Sequence, residues 1–305
     1  MQISKQKAAS RAAPSIAACY FRPPSAAWSV RSSRSMTQQH SPDLERRFGG
    51  LARLYGTEGA ARIRVARVAV VGIGGVGSWA AEALARSGVG AITLVDLDNV
   101  AESNVNRQIH ALTSTLGQPK VEAMRQRIAL IHPGCEVHCV EDFAAPGNWP
   151  ALLPAAVDGV IDACDQVHAK QALAAWALKT RALFITCGAA GGKRQGERVE
   201  IADLAEVTHD PLMAALRARL RQTGSMAKGG KDGKDRQARS GLHVVFSREA
   251  VTRPAACGPQ PGHDRNLNCH GYGSAVTVTA TFGLVAAGWM LERLAQGRAL
   301  QHPHT

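Results

Sequence analysis

Residues 67–96, RVAVVGIGGVGSWAAEALARSGVGAITLVD, constrain the fold more than any other stretch. A short apolar run at 67–71 meets Gly72-Ile73-Gly74-Gly75-Val76-Gly77. A helical pattern follows over 76–86, and a second apolar run, 91–96, ends on Asp96. A strand that enters a helix through G-x-G-x-x-G lets the backbone come close to phosphate, and the unpaired N–H groups of the helix start face it. Asp96 comes 19 residues after Gly77, at a strand end where a carboxylate accepts hydrogen bonds from ribose hydroxyls. The stretch predicts a parallel βαβ unit that holds a nucleotide. By itself it suits NAD, FAD or ATP.

The pattern continues through much of the chain. Residues 44–62 read as a helical lead-in, 118–132 and 166–180 as helices, and 136–140, 158–163 and 182–187 as strands. Such alternation predicts an α/β fold, a doubly wound and largely parallel Rossmann-like sheet with its ligand at the carboxyl ends of the strands. After residue 192 the pattern changes to a C-terminal α+β extension. It has a strand within 199–211, a helix at 212–222 that is basic on one side, a strand at 242–247 and an apolar element at 275–295. Between them, 223–240 is rich in glycine and charge with almost nothing apolar, which predicts a mobile basic loop that buries no core. Residues 275–290 carry no charge, but the run is short for a bilayer and holds three threonines and two glycines, so a buried core element is expected and no membrane partner.

The first 35 residues are free of acid and rich in Ala, Ser and Arg. They read either as an organelle transit segment or as sequence ahead of a start at Met36. The expected organisation is an N-terminal extension over 1–40, one domain over 41–297 and a tail over 298–305.

The formal charge is +12, and six of the positive residues precede Met36, which leaves +6 for the remainder. A surplus of that size suits a polyanionic partner such as RNA. The cysteines number seven, an odd count, and no C-x-x-C pair occurs. That excludes a disulfide framework and points to a reduced, cytoplasmic setting. Cys135 and Cys139 share one face of a strand, but no second pair completes a zinc site. Cys187 reads as a small buried residue. Cys257 and Cys269 fall in an irregular stretch with His263 and His270, where a reactive thiol would accept sulfur or an acyl group.

The discriminating stretch follows the second strand: Asp96-Leu97-Asp98-Asn99-Val100-Ala101-Glu102-Ser103-Asn104-Val105-Asn106-Arg107-Gln108. A dehydrogenase leaves Ser103 to Gln108 without a purpose. The stretch resembles the adenylating fold shared by ubiquitin-activating enzymes and the bacterial activators of sulfur-carrier proteins. The resemblance implies ATP as the nucleotide and an acyl-adenylate as the intermediate. It implies that Gly72, Gly74, Gly75 and Gly77 with Asp96 and Asp98 hold the adenosine. Asn104, Arg107 and Gln108 would line the triphosphate, Lys120 would reach it from the next helix, and Asp165 would stand near Mg²⁺. Arg107, Lys120 and Asp165 are the implied catalytic groups. A carboxylate attacking the α-phosphate meets charge repulsion, which such cations relieve. Read alone, Arg107 and Lys120 also fit solvated surface charges, and Asp165 also fits a helix N-cap.

A narrower likeness rests on RFGGLARLYG (47–56), residues 70–98, SNVNRQIHAL (103–112), DPLMAALRARL (210–220) and VTATFG (278–283). These resemble the bacterial branch whose members dehydrate threonylcarbamoyladenosine beside the anticodon of tRNA, and the likeness spans about residues 43–295. It implies adenylation of the threonyl carboxylate with release of pyrophosphate, then ring closure by the carbamoyl group with release of AMP. It also implies a homodimer and a tRNA surface, to which helix 212–222 and the Lys/Arg residues of 228–239 would contribute. The alternative is activation of a ubiquitin-like sulfur-carrier protein, with sulfur transfer through Cys257 or Cys269 and a cysteine desulfurase or sulfur acceptor as partner. The missing C-x-x-C pairs count against it. At Gly50 the chain also lacks the arginine that activator relatives offer across their dimer, with Arg47 and Arg53 as nearby substitutes. His168 reads as solvent-facing.

Overall fold

A computed structural model describes residues 42–226, 239–252 and 272–297. Seven strands form one sheet: β1 (Arg67–Val71), β2 (Ala91–Val95), β3 (Glu136–Val140), β4 (Gly159–Asp162), β5 (Phe184–Cys187), β6 (Val199–Asp203) and β7 (His243–Ser247). Their order is β3-β2-β1-β4-β5-β7-β6, and all neighbours run parallel except β6, which is antiparallel to β7. The doubly wound sheet expected from sequence is therefore present. Its α+β extension is the β7–β6 edge of the same sheet.

Among the described residues, six α-helices cover the two faces. They are α1 (Leu44–Val65), α2 (Gly77–Arg86), α3 (Lys120–Ile131), α4 (Val167–Thr180), α5 (Pro211–Gln222) and α6 (Val276–Ala295). Alternation along each strand sorts the core in two. Val68, Val70, Ile92 and Leu94 point to the side of α1, α2, α3 and α6. Ala69, Val71, Val95 and Val160 point to the side of α4 and α5. Helix starts match their chemistry: Pro119 precedes α3, and Asp210 caps α5 by accepting from the Met213 N–H at 3.0 Å, with Pro211 in the first turn. α1 bends at Gly56, whose φ of 74° few other residues adopt.

The uncharged run near the C-terminus is α6, with Val278, Phe282, Ala286 and Met290 fully buried. It presses so closely on α2 that a Cβ on Gly283 would overlap the Val76 carbonyl oxygen. Among the described residues, no helix is long and apolar enough to cross a membrane. One expectation needs correction. The segment after α5 is not wholly without core contacts, because Met226 is buried against the α4–α5 layer and its N–H donates to the Leu220 carbonyl at 3.1 Å. A lone methionine in a charged context gives no periodic signal.

Candidate functional site

The carboxyl ends of β1, β2, β4 and β5 surround a cavity of about 460 Å³. At β1 the four glycines serve different ends. Gly72 has φ 86°, and a Cβ there would lie 2.8 Å from the Cys164 nitrogen. A Cβ on Gly77 would overlap the Gly72 carbonyl, and one on Gly75 would come within 3.2 Å of the Arg107 side chain. Gly74 is open, its nearest neighbour being the Gln108 amide at 4.0 Å. Gly72 and Gly77 thus close the turn, Gly75 admits Arg107, and Gly74 leaves bare backbone for a ligand.

Asp96, at the end of β2, is buried. Its Oδ2 accepts the Ile73 N–H at 2.6 Å and its Oδ1 accepts the Asp98 N–H at 2.9 Å, which ties the acid to the glycine turn. Burial raises its carboxyl above the usual range, against the pull of Lys120 and of those two N–H groups. Lys120 opens α3 and is only 6% exposed. Its Nζ lies 2.6 Å from Asp98 Oδ2 and 3.7 Å from Asp96 Oδ1. It is therefore the organiser of an acidic pair in the cavity wall, rather than a solvated surface charge.

The 96–108 stretch forms a compact series of turns. Asn104 Oδ1 accepts the Ala101 N–H at 3.0 Å, and the Asn104 carbonyl accepts from both the Arg107 and Gln108 N–H groups. Arg107 Nη1 donates to the Ser103 carbonyl at 2.7 Å and to Asn106 Oδ1 at 3.0 Å, so the guanidinium is held on the rim of the cavity. Trp79 Nε1 donates to the Arg107 carbonyl at 2.9 Å and fastens the turn to α2. Gln108 is buried beside Gly74, and among the described residues its Oε1 has no partner.

At the end of β4, Asp162 is sealed from solvent with Lys170 of α4. Their charged atoms are 3.1 Å apart, and the Thr186 hydroxyl donates to Asp162 Oδ2 at 2.7 Å. Burial would lower the Lys170 ammonium, but Asp162 and its surroundings hold it above the ordinary lysine value. The Cys164 N–H and thiol both donate to Asp162 Oδ1, which fixes the loop that carries Asp165 into the cavity. Asp165 is not the N-cap of α4. That position is Gln166, whose side chain makes no capping bond, so the Asp165 carboxylate faces the cavity instead. The crowded wall raises its carboxyl, opposed chiefly by Lys170. Among the described residues no three His, Cys, Asp or Glu side chains cluster as a ready-made metal site.

The structure thus brings together Gly72, Gly74, Gly75, Asp96, Asp98, Asn104, Arg107, Gln108, Lys120 and Asp165 around one cavity, with Gly77 packed beneath it. Cys257, Cys269, His263, His270 and stretch 227–238 of the basic loop lie outside the described residues. Cys187 is buried, and burial pushes its thiol up to about 12. Two arginines of α5 have partners within the chain. Arg217 Nη1 donates to the Leu204 and Val207 carbonyls at 2.9 and 3.0 Å, while Arg219 meets the exposed His168 ring at 2.9 Å. Arg47 donates to the Ile131 carbonyl at 2.7 Å, whereas Arg53 stays exposed.

Sequence reasoning missed two buried lysines. Lys170 sits in a helical pattern where a lysine normally marks the solvent side. Lys193 follows two glycines, and its Nζ is held by the Ser247 and Glu249 carbonyls at 2.8 and 3.1 Å. Nothing in the spacing distinguishes either from a surface cation.

Comparison with known proteins agrees with this geometry. The ThiF family model matches residues 48–303. The tRNA threonylcarbamoyladenosine dehydratase of Escherichia coli is 42% identical over 262 residues, covering 84% of this chain and 96% of that protein. The crystal structure of the E. coli enzyme in complex with ATP superposes with a TM-score of 0.73 at 42% identity, over 84% of this chain and 97% of that one. Its complex with AMP gives the same TM-score at 41% identity, over the same shares of the two chains. With an adenylating-type site assembled on a doubly wound sheet and a match that spans the described domain, the chain belongs to the ThiF family.

Proposed function

We propose that this chain is a cytoplasmic, ATP-dependent enzyme that dehydrates threonylcarbamoyladenosine in tRNA. The observation that carries the reading is likeness along nearly the whole length of a dehydratase of that name, joined to a cavity whose lining carries the nucleotide-binding residues expected from sequence. ATP lies with its phosphates over the Gly74 backbone and the start of α2, and with its ribose on Asp96. The threonyl carboxylate attacks the α-phosphorus, the bond to the bridging oxygen breaks, and pyrophosphate leaves. The carbamoyl group then attacks the acyl carbon. AMP departs with one of the former carboxylate oxygens, and a proton is lost, so the modified nucleoside sheds one water.

Arg107 and Lys120 offset the charge that gathers on the phosphates, each released in part from its present partner as the nucleotide binds. The second step needs no protein nucleophile, because the attacking group already lies on the substrate. Mg²⁺ fits the donor set: Asp165 and Asp98, both in the cavity lining, suit an ion that takes most of its ligands from phosphate and water. When bound it would neutralise phosphate charge. A homodimer would need an apolar surface, and Val105 and Leu112, in the stretch after β2, are exposed.

The test is pyrophosphate release from Mg-ATP with tRNA bearing the modified nucleoside, followed by mass analysis of the nucleosides. Pyrophosphate with loss of one water on that nucleoside is expected. Turnover only with a small carrier protein ending in glycines would overturn the assignment.

A further inference from the structure

We infer that the backbone N–H groups of Ala190 and Gly191 form an oxyanion hole for the second chemical step, in which the acyl-adenylate closes to a ring. The inference rests on the adenylating reaction proposed above and adds two groups that neither the motifs nor the comparisons assign.

The loop after β5 runs Gly188-Ala189-Ala190-Gly191-Gly192, and all but Gly192 line the cavity. Backbone N–H groups away from water are nearly always paired. Here Gly188 donates to the Val245 carbonyl at 2.8 Å, Ala189 to Asp210 Oδ2 at 2.9 Å and Gly192 to the Gly273 carbonyl at 2.9 Å. Between them, Ala190 is buried and Gly191 half-buried, and neither N–H has a partner among the described residues. Slackness does not account for the two unused donors, because the loop is held on both sides. Asp210 grips it at Ala189, so closely that a Cβ on Gly188 would overlap that carboxylate. Just beyond, Lys193 Nζ is bound by the Ser247 and Glu249 carbonyls, and the Glu249 carboxylate accepts the Arg194 and Gln195 N–H groups at 2.9 Å. Asp210 and Lys193 are therefore positioning residues for two donors fixed in the cavity wall.

The sheet order β2-β1-β4-β5 says what meets that wall. A nucleotide with its ribose on Asp96 and its phosphates over Gly74 spans β2 and β1. An acyl group joined to the α-phosphate extends away from the ribose, past Asp165 at β4, and its carbon faces residues 190 and 191 at β5. When the carbamoyl group attacks that carbon, the C=O electron pair moves onto the oxygen and a tetrahedral oxyanion forms. The oxyanion collapses as the C=O re-forms. AMP leaves with the electron pair of the broken C–O bond, and the proton of the attacking group passes to water. Fixed N–H donors bind the oxyanion more strongly than the neutral carbonyl, which lowers the barrier to this step.

Position 191 allows one donor to be removed. Its φ lies outside the left-handed region, and a Cβ there would meet the Gly273 oxygen at 3.7 Å and Tyr272 Cβ at 3.8 Å, ordinary contact distances. Gly191→Pro lacks the N–H, whereas Gly191→Ala keeps it. Enzyme in excess is mixed with modified tRNA and Mg-ATP labelled on the α-phosphate, and pyrophosphate, free AMP and tRNA-bound AMP are followed through one turnover. Gly191→Pro should release pyrophosphate within about threefold of the wild-type rate but AMP about 100-fold more slowly, so labelled AMP collects on the tRNA. Gly191→Ala should release AMP at least about tenfold faster than Gly191→Pro. Glycolic acid at position 191, which turns the amide into an ester, removes the same N–H without a ring and should give the same split between the two steps. Lys193→Met, which unfastens the loop and leaves both donors in place, should slow AMP release about tenfold with pyrophosphate release kept. Wild-type AMP release in Gly191→Pro would overturn the oxyanion hole and leave the adenylating site standing. Equal slowing of pyrophosphate and AMP in all the variants, with no label on the tRNA, would also overturn it. Absence of pyrophosphate from the wild-type protein with this tRNA would overturn the adenylating reading itself.

Discussion

Two lysines reach the carboxyl edge of the sheet from opposite faces, and they hold their charge differently. Lys120 of α3 sits between Asp96 and Asp98, and the Asp98 side chain is 56% exposed, so water and ligand both reach the cluster. Lys170 of α4 meets Asp162 and Thr186 with no exposure at all. Each places an ammonium near carboxylates in a low-dielectric wall, yet only the first has an open side through which a phosphate can compete. Openness, not charge, separates the lysine that a ligand could reach from the lysine that holds the loop beneath it.

The largest effect should come from breaking the sealed pair. Lys170→Met leaves the Asp162 carboxylate buried without its counter-charge and should cost about 3–5 kcal/mol of stability. Adding Asp162→Asn should restore a good part of it, as urea denaturation of the single and double variants will read. Lys120→Met should cost less, on the order of 1 kcal/mol, since Asp98 stays solvated and buried Asp96 keeps the Ile73 and Asp98 N–H groups, yet slow pyrophosphate release by about 100-fold. Equal stability losses in the two variants would abolish the distinction.

His110 allows the open cluster to be probed by pH. The ring is buried, neither nitrogen has a partner among the described residues, and burial with nearby Lys120 and Arg127 lowers it to about 4. Above pH 6.5 both folded and unfolded forms are neutral, so the histidine contributes no pH dependence. As pH falls from 6.5 toward 4 the unfolded chain takes up a proton that the folded one refuses. Stability should then drop by about 3 kcal/mol and level off below. His110→Phe should remove that slope. Lys120→Met should shallow it, by relieving one of the charges that keeps the ring neutral, whereas Lys170→Met should leave the slope as it is. Guanidinium melts at pH 7 and pH 4.5 decide.

What was legible in the sequence divides along the same line. Strands β1 and β2, the glycine turn and Asp96 follow from short-range patterning, because a buried parallel strand and a phosphate turn impose local composition. The cavity groups Asn104, Arg107 and Asp165 came from likeness to a family, and the folded chain places them in the lining of one cavity. Lys170 and Lys193 were not legible. Their roles depend on what packs over them from 16 or more residues away, as with Lys170 and Thr186 or Lys193 and Ser247, and periodicity carries no trace of such a partner. The burial of Met226 and the capture of Arg217 by carbonyls escaped notice for the same reason. Each is a tertiary choice among local readings that all looked polar.

The smallest effect sharpens the comparison within the turn itself. A Cβ on Gly75 would meet the Arg107 side chain at 3.2 Å, while one on Gly74 would meet only the Gln108 amide at 4.0 Å. Gly75→Ala should therefore displace Arg107 and slow pyrophosphate release roughly tenfold, with stability changed by less than about 1 kcal/mol. Gly74→Ala leaves the protein undisturbed and puts its methyl group where phosphate approaches. It should raise the KM for ATP several-fold while kcat stays within about twofold. A fall in kcat for Gly74→Ala as large as that for Gly75→Ala would mean that the two glycines share one task. The guanidinium on the rim would then have no separate part in the chemistry, and Lys120 would be left as the main cation on the open side of the sheet edge.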